Sequence, residues 1–249
     1  MNSAPKQRRG IVTGAGSGIG KAVVARMRRE GVEVLAVDIN SKSLEHFEEN
    51  GCETLAADIT DPVVREQLAD WADGANYLVN SAGVILIKPI FELTVEDWRR
   101  VQTINAEATF FLCQKIGPRL APGGAIVNLS SSSAKLATTI ELAAYAASKT
   151  TILSITRSFA YALAPQGVRV NAILPGIVDT PMQDDVLERV APMRGLTRQE
   201  LHDARTKLVP LGRASSPEEC AGLIWFLLRD EAGYMTGQAI NFTGGLVTW

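Results

Sequence analysis

The sequence predicts an α/β fold, a doubly wound parallel sheet of about seven strands with helices on both faces. Three observations carry this reading. Short continuous apolar, β-branched runs recur along the chain, as in "GIVTG", "VEVLAVD" and "GAIVNLSS". Such runs mark strands buried on both faces, the habit of parallel sheets. Each is followed by a stretch with helical spacing, so strand and helix alternate. The chain has 249 residues, 46% of them hydrophobic, enough for a sizeable core in a single domain over residues 1–249.

In order, "GIVTG" opens the sheet and a helix follows from about Gly18 to Glu30. "VEVLAVD" is the second strand, with a short helix near Lys42 to Asn50. "ETLAAD" precedes a helix near Pro62 to Ala72, and "NYLVNSAG" leads into a long helix near Val95 to Leu120. "GAIVNLSS" leads to a second long helix, near Leu142 to Ala164. "VRVNAILPG" and "GQAINF" supply the last strands. From about Pro181 to Pro210 the strand–helix pattern lapses, and two short helices separated by "APMRG" are expected. No internal repeat, low-complexity tract or long linker interrupts the chain.

Composition excludes several function classes. The net charge is −2 without a basic block, which leaves no case for nucleic acid or a membrane surface. "MNSAPKQRRG" is not followed by an apolar region, so no secretory signal is expected. No run approaches the roughly 18 apolar residues of a membrane span. Cys52, Cys113 and Cys220 are scattered and odd in number, reading as reduced thiols of a cytoplasmic protein. His46 and His202 have no companion at metal-ligand spacing, so no metal site is expected.

The chemistry begins directly after the first strand, at "TGAGSGIG". Gly14, Gly18 and Gly20 fall in the turn and the first helical turn. Glycine lets a phosphate approach the backbone, and a helix N-terminus offers free N–H groups to an anion. Asp38 ends the second strand, where a carboxylate can bind the adenosine ribose of NAD. Either feature alone has a plain reading, as a tight turn or a helix cap. Together in one strand–helix–strand unit they predict dinucleotide binding.

In "AAYAASKTT", Tyr145 and Lys149 are four positions apart and so share a helix face. A cation there favours the phenolate and lowers the tyrosine pKa, making a base for neutral pH. By itself the pair also reads as a half-buried Tyr beside a solvated Lys.

With "TGAGSGIG", Asp38, "NSAG" and "YAASK" in this order, the chain resembles the short-chain dehydrogenase/reductase family from Gly10 to "TGQAINFTGG". The resemblance implies a Rossmann-type sheet and an NAD cofactor. It implies that Thr13, Gly14, Ser17, Gly18, Ile19 and Gly20 form the phosphate turn. Asp38 and Ile39 would hold the adenosine ribose, and Asp58 and Ile59 would flank the adenine. Asn80, Ala82 and Gly83 would lie under the cofactor, although Ser81 departs from the family's second Asn. Pro175, Gly176, Ile177 and Thr180 would contact the nicotinamide. The implied catalytic set is Asn105, a Ser, Tyr145 and Lys149, the last two also touching the cofactor. Tyr145 would be the base, Lys149 would support it and bind the nicotinamide ribose, and Asn105 would hold a water linking Lys149 to solvent. Among four consecutive serines, the family's strand ending favours Ser131, while its usual spacing back from Tyr145 points to Ser132; Ser131 is preferred.

The segment at about 181–210 would fold over the substrate. Met182 and Met193 are adaptable apolar contacts there or lid packing. Arg194, Arg198, Arg205 and Lys207 have the charge to face an anionic substrate, but they are interspersed with acids, so a solvated face is the expectation. "VPLGR" and "TGGLVTW" look similar to polyol and sugar dehydrogenases. The expected function is hydride transfer between NAD and a secondary alcohol or ketone, a polyol, sugar or related small hydroxy compound. The alternatives are a 3-oxoacyl thioester reductase and a non-catalytic NAD-binding redox sensor. The nearly apolar helix around Tyr145, with the family resemblance, implies a homotetramer, or a dimer as fallback.

Overall fold

The computed structural model describes residues 7–137 and 139–249. Most of the N-terminal stretch read above for a secretory signal lies outside the described residues. Seven parallel strands form one sheet in the order β3-β2-β1-β4-β5-β6-β7. They are β1 (Arg9–Thr13), β2 (Glu33–Asp38), β3 (Glu53–Ala56), β4 (Tyr77–Asn80), β5 (Ala125–Leu129), β6 (Arg169–Pro175) and β7 (Ala239–Phe242). The β-branched runs sit where both faces are covered, so every residue of β4 and β5 is buried. Strand order reverses beside β1, which pairs with β2 on one side and β4 on the other. That reversal opens a crevice beyond the C-terminal strand ends.

The helices are α1 (Gly18–Arg29), α2 (Glu45–Glu48), α3 (Pro62–Trp71), α4 (Val95–Gln102), α5 (Ala108–Ile116), α6 (Ala143–Leu163), α7 (Pro181–Met193), α8 (Arg198–Thr206) and α9 (Pro217–Leu228). One core layer joins Val23, Val24 and Met27 of α1 and Ile224, Leu227 and Leu228 of α9 to one sheet face. The other joins Leu68 of α3, Leu112 and Ile116 of α5 and Leu163 of α6 to the opposite face. Burying such side chains is worth about 1.5–3 kcal/mol each.

Four elements differ from expectation. The helix near Lys42 to Asn50 shrinks to a 3₁₀ turn, Ser41–Ser43, and the single turn α2, ended by Gly51 at φ 70°. The long helix after Thr94 is interrupted by a π-turn, Thr103–Glu107, between α4 and α5. The break in the 181–210 segment comes later than "APMRG", because α7 runs through Pro192 to Met193. Gly195 at φ 66° turns the chain, and Thr197 with Glu200 caps α8 reciprocally. Helix α9 was not anticipated, yet its signal is present: Ser216, Pro217 and Glu219 form a capping box with proline in the first turn.

Candidate active site

The glycine turn is built by close approach. A Cβ on Gly14, at φ 66°, would meet the Ala82 nitrogen at 2.7 Å, and one on Gly20 would meet the Gly14 carbonyl oxygen at 2.0 Å. Strand β1 therefore passes into α1 with its backbone pressed against the loop after β4. Ser17 is the extended N-cap of α1 and makes no side-chain cap bond. The first N–H groups of α1 are thus left for an anion. The Thr13 hydroxyl stands behind the turn, accepting from Ser81 N at 3.2 Å and Ala82 N at 3.3 Å, so Thr13 braces the turn and is not part of its surface.

Asp38 leaves β2 and faces this turn. Its Oδ2 accepts from Gly16 N and its Oδ1 from Asn40 N, both at 2.9 Å. The carboxylate is fixed by backbone donors and still lines the cavity, beside the exposed Ile39. Asp58, turned by bonds from Thr60 N and Oγ1, and the buried Ile59 line the same end.

The cavity is about 580 Å³ and runs along the C-terminal strand ends. Gly14, Ser17, Gly18, Ile19, Gly20, Ala82, Gly83, Ser131, Tyr145 and Lys149 line it, as do Pro175, Gly176, Ile177 and Thr180. Asn80 is a correction: its buried side chain turns into the sheet, donating to Asn128 Oδ1 at 2.8 Å and Cys113 Sγ at 3.4 Å. Ser81, absent from the expectation, takes its place on the wall. A strand reverses its side chains every residue, so Asn80 and Ser81 cannot both face out. Asn105 also does not line the cavity. From the π-turn its Oδ1 accepts from Val84 N at 2.8 Å, and its Nδ2 donates to Val84 O at 2.9 Å and Ser148 Oγ at 3.0 Å. It clamps the loop after β4 to α6, directly behind Gly83 and Lys149.

Tyr145 and Lys149 project from α6 and are both buried. The Tyr145 pKa is a second correction. Burial among Ile87, Leu142 and Val186 raises it, the Ser131 hydroxyl opposing this in part. The four-residue spacing brings the Lys149 charge to the same helix face, but Lys149 Nζ donates to the Leu129 carbonyl at 2.9 Å and stands 5.6 Å from the Tyr145 ring centroid. Burial in turn lowers Lys149 to about 8. A side chain on Gly83 would crowd it, because a Cβ there comes within 3.3 Å of Nζ.

The four serines divide. Ser130 lines the cavity but spends its hydroxyl on the Lys149 carbonyl, donating at 2.7 Å. Ser131, extended at φ −162°, faces Tyr145, and its Oγ accepts from Ser133 N at 3.1 Å. Ser132 begins the next 3₁₀ turn and lines the same wall.

Helices α7 and α8, with the turns that follow them, cover the far end with Met182, Val186, Leu196, Leu201 and Leu208. Here the expected solvated face fails in part. Arg198 pairs with Asp184 and Lys207 is exposed, but Arg194 and Arg205 line the cavity. Arg205 follows Leu201 by four positions, and that shared face was the available signal. Met193 is half exposed and lies off the wall.

What this sheet and cavity define is a nucleotide-binding oxidoreductase. A family model described as enoyl-(acyl carrier protein) reductase matches residues 14–247. The D-threitol dehydrogenase of Mycolicibacterium smegmatis is 35% identical, covering 94% of this chain and 91% of its own. The 3-oxoacyl-[acyl-carrier-protein] reductase of Thermotoga maritima is 34% identical, covering 95% and 96%. A crystallised variant of actinorhodin polyketide ketoreductase with NADPH superposes at a TM-score of 0.89, with 30% identity over 99% of this chain and 100% of its own. The chain belongs to the short-chain dehydrogenase/reductase family and is an oxidoreductase acting on CH–OH groups.

Proposed function

We propose that the protein is an NAD-dependent dehydrogenase of secondary alcohols, taking a polyol, sugar or related small hydroxy compound. The observation that carries the cofactor choice is Asp38, held by Gly16 N and Asn40 N at the ribose end of the cavity. The neighbouring side chains are Ile39 and the exposed Lys42, not an arginine poised for a phosphate. NADP would bring about −1.5 to −2 charges against that carboxylate.

When bound, the nicotinamide accepts hydride from carbon. The rest falls to this chain. The first turn of α1 binds the pyrophosphate. Lys149 holds the ribose and, as a cation together with the positive nicotinamide, would offset the burial that raises the Tyr145 pKa, so that Tyr145 as phenolate takes the alcohol proton. Ser131 orients the substrate oxygen and stabilises developing charge. Asn105 keeps the Gly83 loop and α6 in register through Val84 and Ser148. Asn80, tied to Asn128 and Cys113, braces the strand ends that carry the cofactor. The chain acts as one domain, with α7 and α8 closing over the substrate. Cys52, Cys113 and Cys220, all buried and free, support a reducing, cytoplasmic setting.

The resemblance to acyl-carrier-protein reductases keeps a 3-oxoacyl thioester reductase as the second reading. One assay separates the two. Polyols, sugars and secondary alcohols are offered with NAD or NADP, and 3-oxoacyl thioesters with NADH or NADPH. The expected result is alcohol oxidation with NAD, preferred about 30- to 1,000-fold in kcat/KM. Equal use of both cofactors, or turnover of thioesters alone with NADPH, refutes the proposal. In the same assay Ser131→Ala should lose more kcat than Ser132→Ala.

A further inference from the structure

The substrate end of the cavity holds an uncompensated cation. Arg205 is partly buried on α8, and among the described residues its guanidinium makes one hydrogen bond, to Gln183 Oε1 at 3.3 Å. A guanidinium carries five N–H donors in a rigid fork, so most of Arg205's remain free. Among the described residues no carboxylate pairs with it. The acids nearby are spent on other cations: Glu141 on Arg194, with bonds of 3.1 and 2.7 Å, Asp184 on Arg198, and Asp185 on Arg189. Gln183 adds a second unmet donor, its buried Nε2 having no partner. Around them stand Met182, Val186, Leu196, Leu201 and Leu208.

A guanidinium in apolar company is costly unless an anion joins it. Burial accordingly lowers the Arg205 pKa, and the Arg194 charge adds to this. We infer that Arg205, steadied by Gln183, receives an oxyanion of the substrate, so that the preferred alcohol or ketone carries a carboxylate or phosphate at the end of an aliphatic body. This rests on the dehydrogenase reading of the cavity. It turns that reading from neutral hydroxy compounds toward acidic ones. The fork geometry suits a planar carboxylate or a phosphate bidentately, which an ammonium would not.

Matched probes test it: 3-hydroxybutanoate against 1,3-butanediol, and glycerol 3-phosphate against glycerol, each with saturating cofactor. In the wild type the acidic member of at least one pair is favoured about 10- to 100-fold in kcat/KM. Which pair shows it tells carboxylate from phosphate. Arg205→Met collapses the ratio toward one, and Arg205→Lys restores part of it, which guards against a variant that merely folds poorly. Heat protection gives a readout without turnover, since the favoured acid should raise the Tm of the wild type and not of Arg205→Met. A wild type that oxidises none of the probes, yet is protected by an acid through Arg205, keeps the oxyanion site and shows that the alcohol belongs to another class than these probes. Equal kcat/KM within both pairs overturns the inference. So does an acid preference that survives Arg205→Met while the KM for the cofactor rises, because the guanidinium would then serve the pyrophosphate.

Discussion

Lys149 shows at one residue how burial and chemistry trade. Its ammonium titrates near 8 in the fold, against 10.5 for the free side chain. Below pH 8 the folded and unfolded chains are both protonated there, and the cost of burial is fully present. Between pH 8 and 10.5 the unfolded chain keeps a proton that the folded chain has released, so stability rises with pH. Urea unfolding without added cofactor should therefore show the wild type gaining about 2 kcal/mol on Lys149→Met between pH 8 and pH 10. Parallel pH curves for the two proteins would show that Lys149 is not desolvated. The residues legible in the sequence were those whose role is local: Gly14 and Gly20, pressed against backbone, and Asp38 at a strand end. Those misread depend on distant partners. Asn80 turns to Asn128, Thr13 to the loop after β4, and Arg205 stays unpaired because Glu141, Asp184 and Asp185 pair elsewhere. The direction of the Tyr145 shift was missed because spacing reports charge proximity and not desolvation.

At the scale of elements, the periodic pattern found all seven strands and the long helices; burial on both faces leaves an unbroken apolar run in the central strands, while the edge strands β3 and β7 are only partly covered. It missed the π-turn at Thr103–Glu107, since one extra residue per turn leaves little trace in a hydrophobic pattern. That turn points Asn105 at Val84 and Ser148, so the clamp behind Lys149 depends on it. Helices α5 and α6 also bear on assembly. Phe110 of α5 packs edge-on against Phe159 of α6, and Tyr161 is 86% exposed. Along the outer side of α6, Thr151, Ser154, Ser158 and Tyr161 lie exposed with Arg157 as their sole charge. Such a face suits a second copy of the chain, and we propose a homotetramer, or failing that a dimer, built on it. Light scattering at micromolar concentration should give two or four times the mass of 26.8 kDa. A monomer mass would refute this, and Tyr161→Arg should weaken the assembly if α6 is the contact.

For the whole molecule, the topology gathers what the chain scatters. The glycine turn follows β1, Asp38 ends β2, Gly83 follows β4, Ser131 follows β5 and Gly176 follows β6, all at the C-terminal ends of the parallel strands. Helix α6, laid beside those strand ends, adds Tyr145 and Lys149, and α7 and α8 add Val186, Leu201 and Arg205. The order of strands explains why motifs spread over residues 13–180 meet in one cavity, which no local pattern could reveal without the reversal beside β1. The central claim is that this cavity transfers hydride with Tyr145 as the proton acceptor. The most direct test is the rate of NADH formation by Tyr145→Phe on an alcohol that the wild type oxidises, with NAD binding measured alongside by fluorescence. Loss of turnover by at least about 100-fold, with NAD affinity within roughly threefold of wild type, is the predicted result. A variant that keeps most of its activity would contradict the account.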